Sequence, residues 1–453
     1  MSVRGGDIEM NERRYVVGNG VVTDGMGVFY PDGALLIDDG HIVAVGASDE
    51  LKKKGDSPWV DVGGRLILPG LTNMHHHLYS CFAPGIAPHG SSEDFIGILK
   101  ELWWPLDAAM DREAVYWSAL WGALDCLRHG VTTVFDHHAS MTFVSGALDA
   151  VSEGIERAGI RAVLCLELSD RLGRDKLTSQ FDENLRFWES HRSDPMRRGM
   201  LGLHANFTIS DESMAYIGGH KPRDMAVHVH CGEGRADYDY CRAMGYHGPV
   251  HRLEAFGLLS SSALLAHCIH LSDEDHRILE ELSPAVVTNP ESNANNQVGS
   301  LDRGRIPSFL LGTDGMTGDM VASLRSAFLL GRQSPDIWGG LHRSFFSHRY
   351  PYVRRFFPDL RCFEIGSAAD VAVLDYVPTS PIDANNVLGH LVFGARGGNA
   401  FMTVVGGKIL WRDGVFADEE LNRRESGILA RSAARRLHDR FGRNPWSTYT
   451  EDE

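Results

Sequence analysis

Hydrophobic and polar positions divide the chain into three textures. The first 65 residues read as short strands separated by turn signals, in RRYVVGNGVVTDG, GALLIDDGHIVAVG and WVDVGGRLILPG. Between Ile37 and Ile42 the pattern predicts a hairpin with Asp39-Gly40 at its tight turn. The same texture returns in ADVAVLDY (369–376) and AFMTVVGGKILWRDG (400–414), and Glu/Arg/Ala-rich helical sequence follows from 418 to 440. Two all-β pieces flanking a long middle predict one small β-sandwich domain built from both termini, with segments 1–66 and 366–453 contributing to it.

The middle, 67–365, alternates differently. Apolar runs recur at Ile67–Met74, Val131–Phe135, Ile160–Leu166, Met200–Leu203, Met225–Val229, Ala263–Ala266, Ala285–Val287 and Phe309–Leu311, with helix-like stretches between them. One such stretch, REAVYWSALWGALDCLRHG (112–130), has Gly130 placed to end a helix. Eight buried-type strands alternating with helices predict an α/β fold, a (β/α)₈ TIM-type barrel. Most of the runs end in a chemically capable side chain: His75 and His77, Asp136-His137-His138, His204, His230, His267 and Asp314. A single His after an apolar run is more often a core or cap residue. A row of them at the C-terminal strand ends, where such barrels build their active sites, is not explained that way.

Composition narrows the classes. Apolar residues make up 43% and charged residues 23% of 453, an ordinary globular balance. No apolar run reaches the ~18–20 residues of a transmembrane helix. The opening MSVRGGDIEMNERR lacks the apolar core of an export signal and reads as a loose tail. A net charge of −16 argues against nucleic acid or an anionic membrane as partner. The seven cysteines are scattered without a CxxC pair, which fits reduced thiols and a cytoplasmic location.

His75 and His77 are two apart on a predicted strand, so both can face the barrel mouth while His76 turns away. Two imidazoles so placed suit a metal ion. The surrounding LPGLTNMHHHLYS resembles the opening metal motif of the amidohydrolase superfamily, VHVHCGE (227–233) its fifth-strand motif, LLAHCIHLSDED (264–275) its sixth-strand histidine segment and LLGTDG (310–315) its eighth-strand aspartate. Within that superfamily the chain is similar to SsnA-type aminohydrolases of the deaminase and chlorohydrolase branch, on LKELWWPLDAAMD (99–111), TTVFDHHAS (132–140), NPESNANNQVG (289–299) and LGTDGMTGDM (311–320). The likeness covers nearly the whole chain and is weakest at 1–12 and 335–365.

The resemblance implies that His75, His77, His230 and Asp314 hold one divalent ion, zinc first, with iron or manganese also acceptable to such donors. The ion would retain a water and lower its pKa towards ~7. Glu233 would shuttle a proton from that water to a ring nitrogen. His267 would bond the attacking oxygen, and Asp314 would help orient it. Two-metal relatives carry a lysine after the fourth strand; MRRGMLGLHANFTIS (196–210) has none, which implies a single ion. Candidate substrate contacts are His204, His137, His138, Tyr79, Trp104 and Asn293, with Trp103 as further aromatic wall and 79–108 as the specificity loop. His204 stands in His-Ala-Asn where relatives often have His-Ala-Pro. His228 shares a face with His230, as a partner of the ligands or as packing. Asn289 and Ser292 read as loop capping, Asp319 as a helix cap, and Cys231 and Cys268 as buried filler facing away from the ion.

The function implied is hydrolytic deamination of an amino-substituted nitrogen heterocycle, a small molecule, by a chain that associates as relatives do, into homodimers or larger. Ring opening of a cyclic amide or amidine is the second reading and triazine dechlorination the third. A non-catalytic metal-binding scaffold comes last, because the whole set of ligands and acid–base residues is present.

Overall fold

The computed structural model describes residues 13–395 and 399–443. The expected N-terminal tail lies, up to residue 12, outside the described residues.

The middle of the chain forms an all-parallel barrel. Its strands run Leu71–His76, Val131–His138, Arg161–Leu168, a fourth in two pieces (Arg197–Gly199 and Leu201–Leu203), Val227–Cys231, Leu264–His267, Ala285–Thr288 and Leu310–Leu311, neighbouring one another in that order. All residues of the second and third strands are buried, as expected of parallel strands covered on both faces. The ring closes through a parallel bridge between His76 and Asp314. There the His75 carbonyl accepts from the Thr313 and Asp314 amides at 3.0 and 2.9 Å.

Helices follow the strands, and side chains written into the loops start several of them. Asp111 accepts from the Ala114 amide to cap Arg112–Arg128, and Ser272 and Asp275 cap Asp273–Leu282 reciprocally. Asp319 accepts from the Val321 and Ala322 amides, the capping role expected of it. Gly130, at φ +77°, follows Arg112–Arg128 and lies so close to the terminal sheet that a Cβ would stand 2.9 Å from that of Ala372.

Strands from both chain ends pair into one nine-stranded mixed sheet, in the order Val415–Phe416, Lys408–Arg412, Ala400–Val405, Val371–Leu374, Leu66–Pro69, Arg14–Thr23, Phe29–Asp38 and His41–Ala47, with Trp59–Asp61 beside Arg14–Thr23. The two termini thus build one small β domain, as expected, with hydrogen bonding continuous across it. The sheet nevertheless curls over its own core: the Ile42 amide donates to Ser367, and the Ala369 amide to Gly40. Tyr15, Leu35, Ile37, Val371 and Val404 are buried inside the curl. Arg161 of the third barrel strand reaches Asp370 at 3.2 Å with both side chains buried, fastening the barrel to the sheet.

The divergent stretch at 335–365 closes the other end of the barrel. Tyr352, Val353, Phe357 and Leu360 pack with Met74, Phe135, Val163, Leu264 and Val287, and the Tyr352 hydroxyl donates to the Ser262 carbonyl at 2.7 Å.

The last described helix, Arg424–Phe441, docks on the barrel. Arg440 donates to the Ala109 carbonyl at 2.7 Å, and Arg440 pairs with Asp111 at 2.8 Å. His438 bonds the Phe82 carbonyl at 2.7 Å. Among the described residues no helix is long and apolar enough to cross a membrane.

Candidate metal centre and substrate cavity

The C-terminal strand ends bring the sequence-predicted cluster together. His77 Nε2 lies 3.0 Å from Asp314 Oδ1 and 3.2 Å from His230 Nε2, while His75 Nε2 lies 3.5 Å from the same Asp314 oxygen. His267 Nε2 stands 3.6 Å from Asp314 Oδ2 and 3.5 Å from Glu233 Oε2. Alternation on the first strand acts as expected. His76 turns away and bonds the Asp314 carbonyl at 2.7 Å and the Thr313 hydroxyl at 3.0 Å, holding the eighth strand end in place.

Each imidazole of the cluster is aimed by its other nitrogen. His75 Nδ1 bonds His228 Nε2 at 2.8 Å, His77 Nδ1 the His137 carbonyl at 2.5 Å, His230 Nδ1 the His204 carbonyl at 2.8 Å and His267 Nδ1 the Asn293 side-chain oxygen at 2.8 Å. This is how ligand rings are oriented in metal sites. Ser292 donates to Asp314 Oδ2 at 2.6 Å. Asp314 and His267 both adopt left-handed backbone, at φ +55° and +75°. Such strain in non-glycine residues gathers at functional sites.

These residues fit a metal ion. One donor atom each from His75, His230, His267 and Asp314 lies within 4.8 Å of the others. His75 Nε2 and His267 Nε2 are buried without a hydrogen-bond partner among the described residues, a condition that costs about 1–3 kcal/mol per group and that a cation relieves. Burial lowers His75 and His230 well below the usual imidazole range, as suits neutral ligands. Burial opposes the charge on Asp314, but the imidazoles of His75 and His77 beside it hold that carboxylate far down. Burial pushes Glu233 up to about 7 against the lowering influence of His267.

Beside the cluster opens a cavity of about 630 Å³, counting its mouth. Tyr79, Phe95, Trp103 and Trp104 form an aromatic wall, and His204, Glu233 and Asn296 are among its polar lining. Tyr79, Trp104 and His204 thus reach the cavity, as expected. The other three candidate contacts do not line it. His137 sits behind the cluster with Nε2 on the Leu203 carbonyl at 3.1 Å. His138 packs edge-on against Tyr79 with ring centroids 5.7 Å apart. Asn293 is occupied in holding His267. His137 and His138 end a strand crowded by its neighbours at the barrel mouth, and Asn293 lies in the helix Pro290–Asn295 with its oxygen turned to His267. His228, left open between two readings, is a partner of His75. Cys231 and Cys268 are buried, and neither is among the groups able to hold an ion.

Four residues that sequence reasoning passed over matter here. Asn296 donates to Glu233 Oε1 at 3.4 Å. Glu167 lines the cavity and pairs with Arg171, which also meets Asp107 at 3.4 Å. Asp107 accepts from the Tyr79 hydroxyl at 2.9 Å. Glu167 directly follows the apolar run of the third strand, the same signal that marked the histidines.

Known proteins resemble the chain in sequence and in fold. Residues 66–410 match the profile described as "Amidohydrolase family", and 33–54 one described as "Imidazolonepropionase-like composite domain, bacteria". A 5'-deoxyadenosine deaminase of Methanosarcina acetivorans is 28% identical over 395 residues, 84% of this chain and 88% of the relative. The crystal structure of an adenosine deaminase from Xanthomonas campestris with bound zinc superimposes with a TM-score of 0.81 at 21% identity, over 95% of this chain and 98% of that one. The atrazine chlorohydrolase of Arthrobacter aurescens TC1, complexed with zinc, gives 0.76 at 23% identity over 92% and 100%.

Proposed function

Since the chain belongs to the amidohydrolase family, we propose that it is a one-metal hydrolase that removes an amino group, as ammonia, from a purine-type heterocycle. The observation that carries the reading is the convergence of Glu233 and His267 on the metal cluster at the floor of an aromatic-walled cavity. The deaminase activity of the Methanosarcina relative supports it. The finer likeness to SsnA-type aminohydrolases belongs to the same proposal.

His75, His77, His230 and Asp314 would hold the ion, zinc in the first place, and the lack of a lysine in 196–210 supports a single one. A divalent cation there supplies Lewis acidity and acidifies water towards neutral pH. Glu233 takes a proton from the attacking water at Oε2 and delivers it to the ring nitrogen next to the reacting carbon, which makes that carbon a better electrophile. The proton of the added hydroxyl then passes to the amino group, and ammonia leaves as the C–N bond breaks and a carbonyl forms. Asn296 steadies the other oxygen of the carboxylate. His267, its direction fixed by Asn293, presents Nε2 to the oxygen that adds to the ring. Tyr79, Trp103 and Trp104 cover the faces of a flat ring and exclude water from it.

The test combines metal analysis of the purified protein with ammonia release from adenosine, 5'-deoxyadenosine and guanine. Glu233→Gln should keep its metal and lose most turnover, since an amide cannot shuttle the proton. Near-wild-type turnover in that variant overturns the mechanism. A metal-free protein that stays inert after zinc or iron is added overturns the function. Chloride release from a chlorotriazine, or hydrolysis of a cyclic amide without ammonia, would move the chain to one of its other two readings.

A further inference from the structure

Glu167, at the end of the third barrel strand, has no part in the chemistry above. It is 4% exposed and lines the cavity. One of its oxygens, a nitrogen of His204 and a nitrogen of His230 all lie within 4.8 Å of one another. Glu233 leans the other way, towards His267 at the sixth strand end and Asn296 just after the helix Pro290–Asn295. Two carboxylates therefore approach the cavity floor from different sides of the barrel.

The surroundings of Glu167 leave it short of donors. Arg171 serves both Glu167 Oε1 and Asp107 Oδ2, one guanidinium for two carboxylates. Glu167 Oε2 stands 3.8 Å from His137 Nδ1, beyond hydrogen-bond reach, and no described residue donates to it. Glu167 lines the cavity, so a donor on a ligand can reach this oxygen. Burial pushes the Glu167 carboxyl up to about 7 against the lowering influence of Arg171; in its ionised form it only accepts, and a donor on the ligand favours that form.

We infer that Glu167 Oε2 reads a second nitrogen-bound hydrogen on the substrate ring, so that the preferred heterocycle carries a ring N–H or another amino group besides the one removed. The short reach from Glu167 to His230 favours the ring itself over a hydroxyl on a pendant sugar. Arg171 and Asp107 keep the carboxylate in place. The inference deepens the proposed function and rests on its placement of the ring over the cluster.

Matched ligands test it on the zinc-loaded full chain, by calorimetric affinity and by kcat/KM. Adenosine against 2,6-diaminopurine riboside adds a ring amino group, and 9-methyladenine against adenine restores a ring N–H. Adenosine against 2',3'-dideoxyadenosine removes sugar hydroxyls. The donor-bearing member of at least one ring pair should bind roughly 10- to 100-fold tighter. Glu167→Leu, of similar volume, should erase that ratio with zinc content unchanged. Glu167→Gln, which keeps an acceptor without charge, should fall between and checks that the fold survives. Ratios unchanged in Glu167→Leu overturn the inference, as does a shift confined to the sugar pair. So does equal weakening of every ligand with loss of zinc, which would make Glu167 a counter-charge to the cluster. Ring selectivity without ammonia release overturns the deaminase reading alone; ammonia release with ratios that ignore Glu167 overturns this one alone.

Discussion

The two ends of the barrel arrange their buried polar groups differently. At the N-terminal end Arg161 and Asp370 satisfy each other, and Asp370 also accepts from the Gly406 amide at 2.8 Å. At the C-terminal end His75, His137, His138 and His267 each bury a ring nitrogen with no partner among the described residues. Unpartnered atoms occur at both ends, since Thr133 Oγ1, Ser344 Oγ and Arg349 Nε are buried without a partner among the described residues as well; at the C-terminal end those of His75 and His267 both face the Asp314 carboxylate. A folded chain tolerates unsatisfied polar atoms where something from outside completes them. The difference separates architecture from chemistry without reference to any relative.

Substitutions at the two ends should therefore fail differently. Asp314→Ala strikes the cluster hardest: metal content and turnover should both fall to background while the far-ultraviolet circular dichroism stays that of the folded chain. If that variant keeps its metal, the cluster has been drawn wrongly. At the other end Arg161→Met leaves Asp370 buried without its counter-charge, and should cost about 3–5 kcal/mol of stability in denaturant unfolding while the folded fraction keeps its metal. A loss within error would mean that the two regions do not differ as described. His228→Ala removes the partner of His75 Nδ1 and should weaken metal affinity about 10- to 100-fold in a chelator competition; unchanged affinity would reduce His228 to packing. Smallest of all, Arg436→Ala cuts a half-exposed pair with Glu113 and should move stability by no more than about 1 kcal/mol.

The parts legible in the sequence were those with a local signature. His75 and His77 stand two apart on a strand, Asp314 follows an apolar run, and the strand–helix alternation spells out the barrel. What escaped depends on contacts between distant segments. Nothing near Asn293 announces that its oxygen will meet His267, 26 positions earlier. Glu167 was readable in principle, since it ends a strand as the histidines do, but an acid after an apolar run has many uses. The π-helical turn Leu99–Trp103, which places both of its end residues on the cavity wall, follows from packing and leaves no periodic trace. The aromatic segment around Tyr352 looked merely divergent, because a plug for the barrel floor takes its shape from the strands it covers.

The helix Arg424–Phe441 lies far along the chain from every residue of the centre, yet it grips the backbone at Phe82 and Ala109, on either side of the segment that supplies Phe95, Trp103 and Trp104 to the cavity. For anyone preparing shortened or tagged versions of this protein, the far end is thus no neutral place to cut. A chain stopped before Arg424 would keep every ligand and the proton shuttle, but its aromatic wall would lose the backing that holds it against the ring.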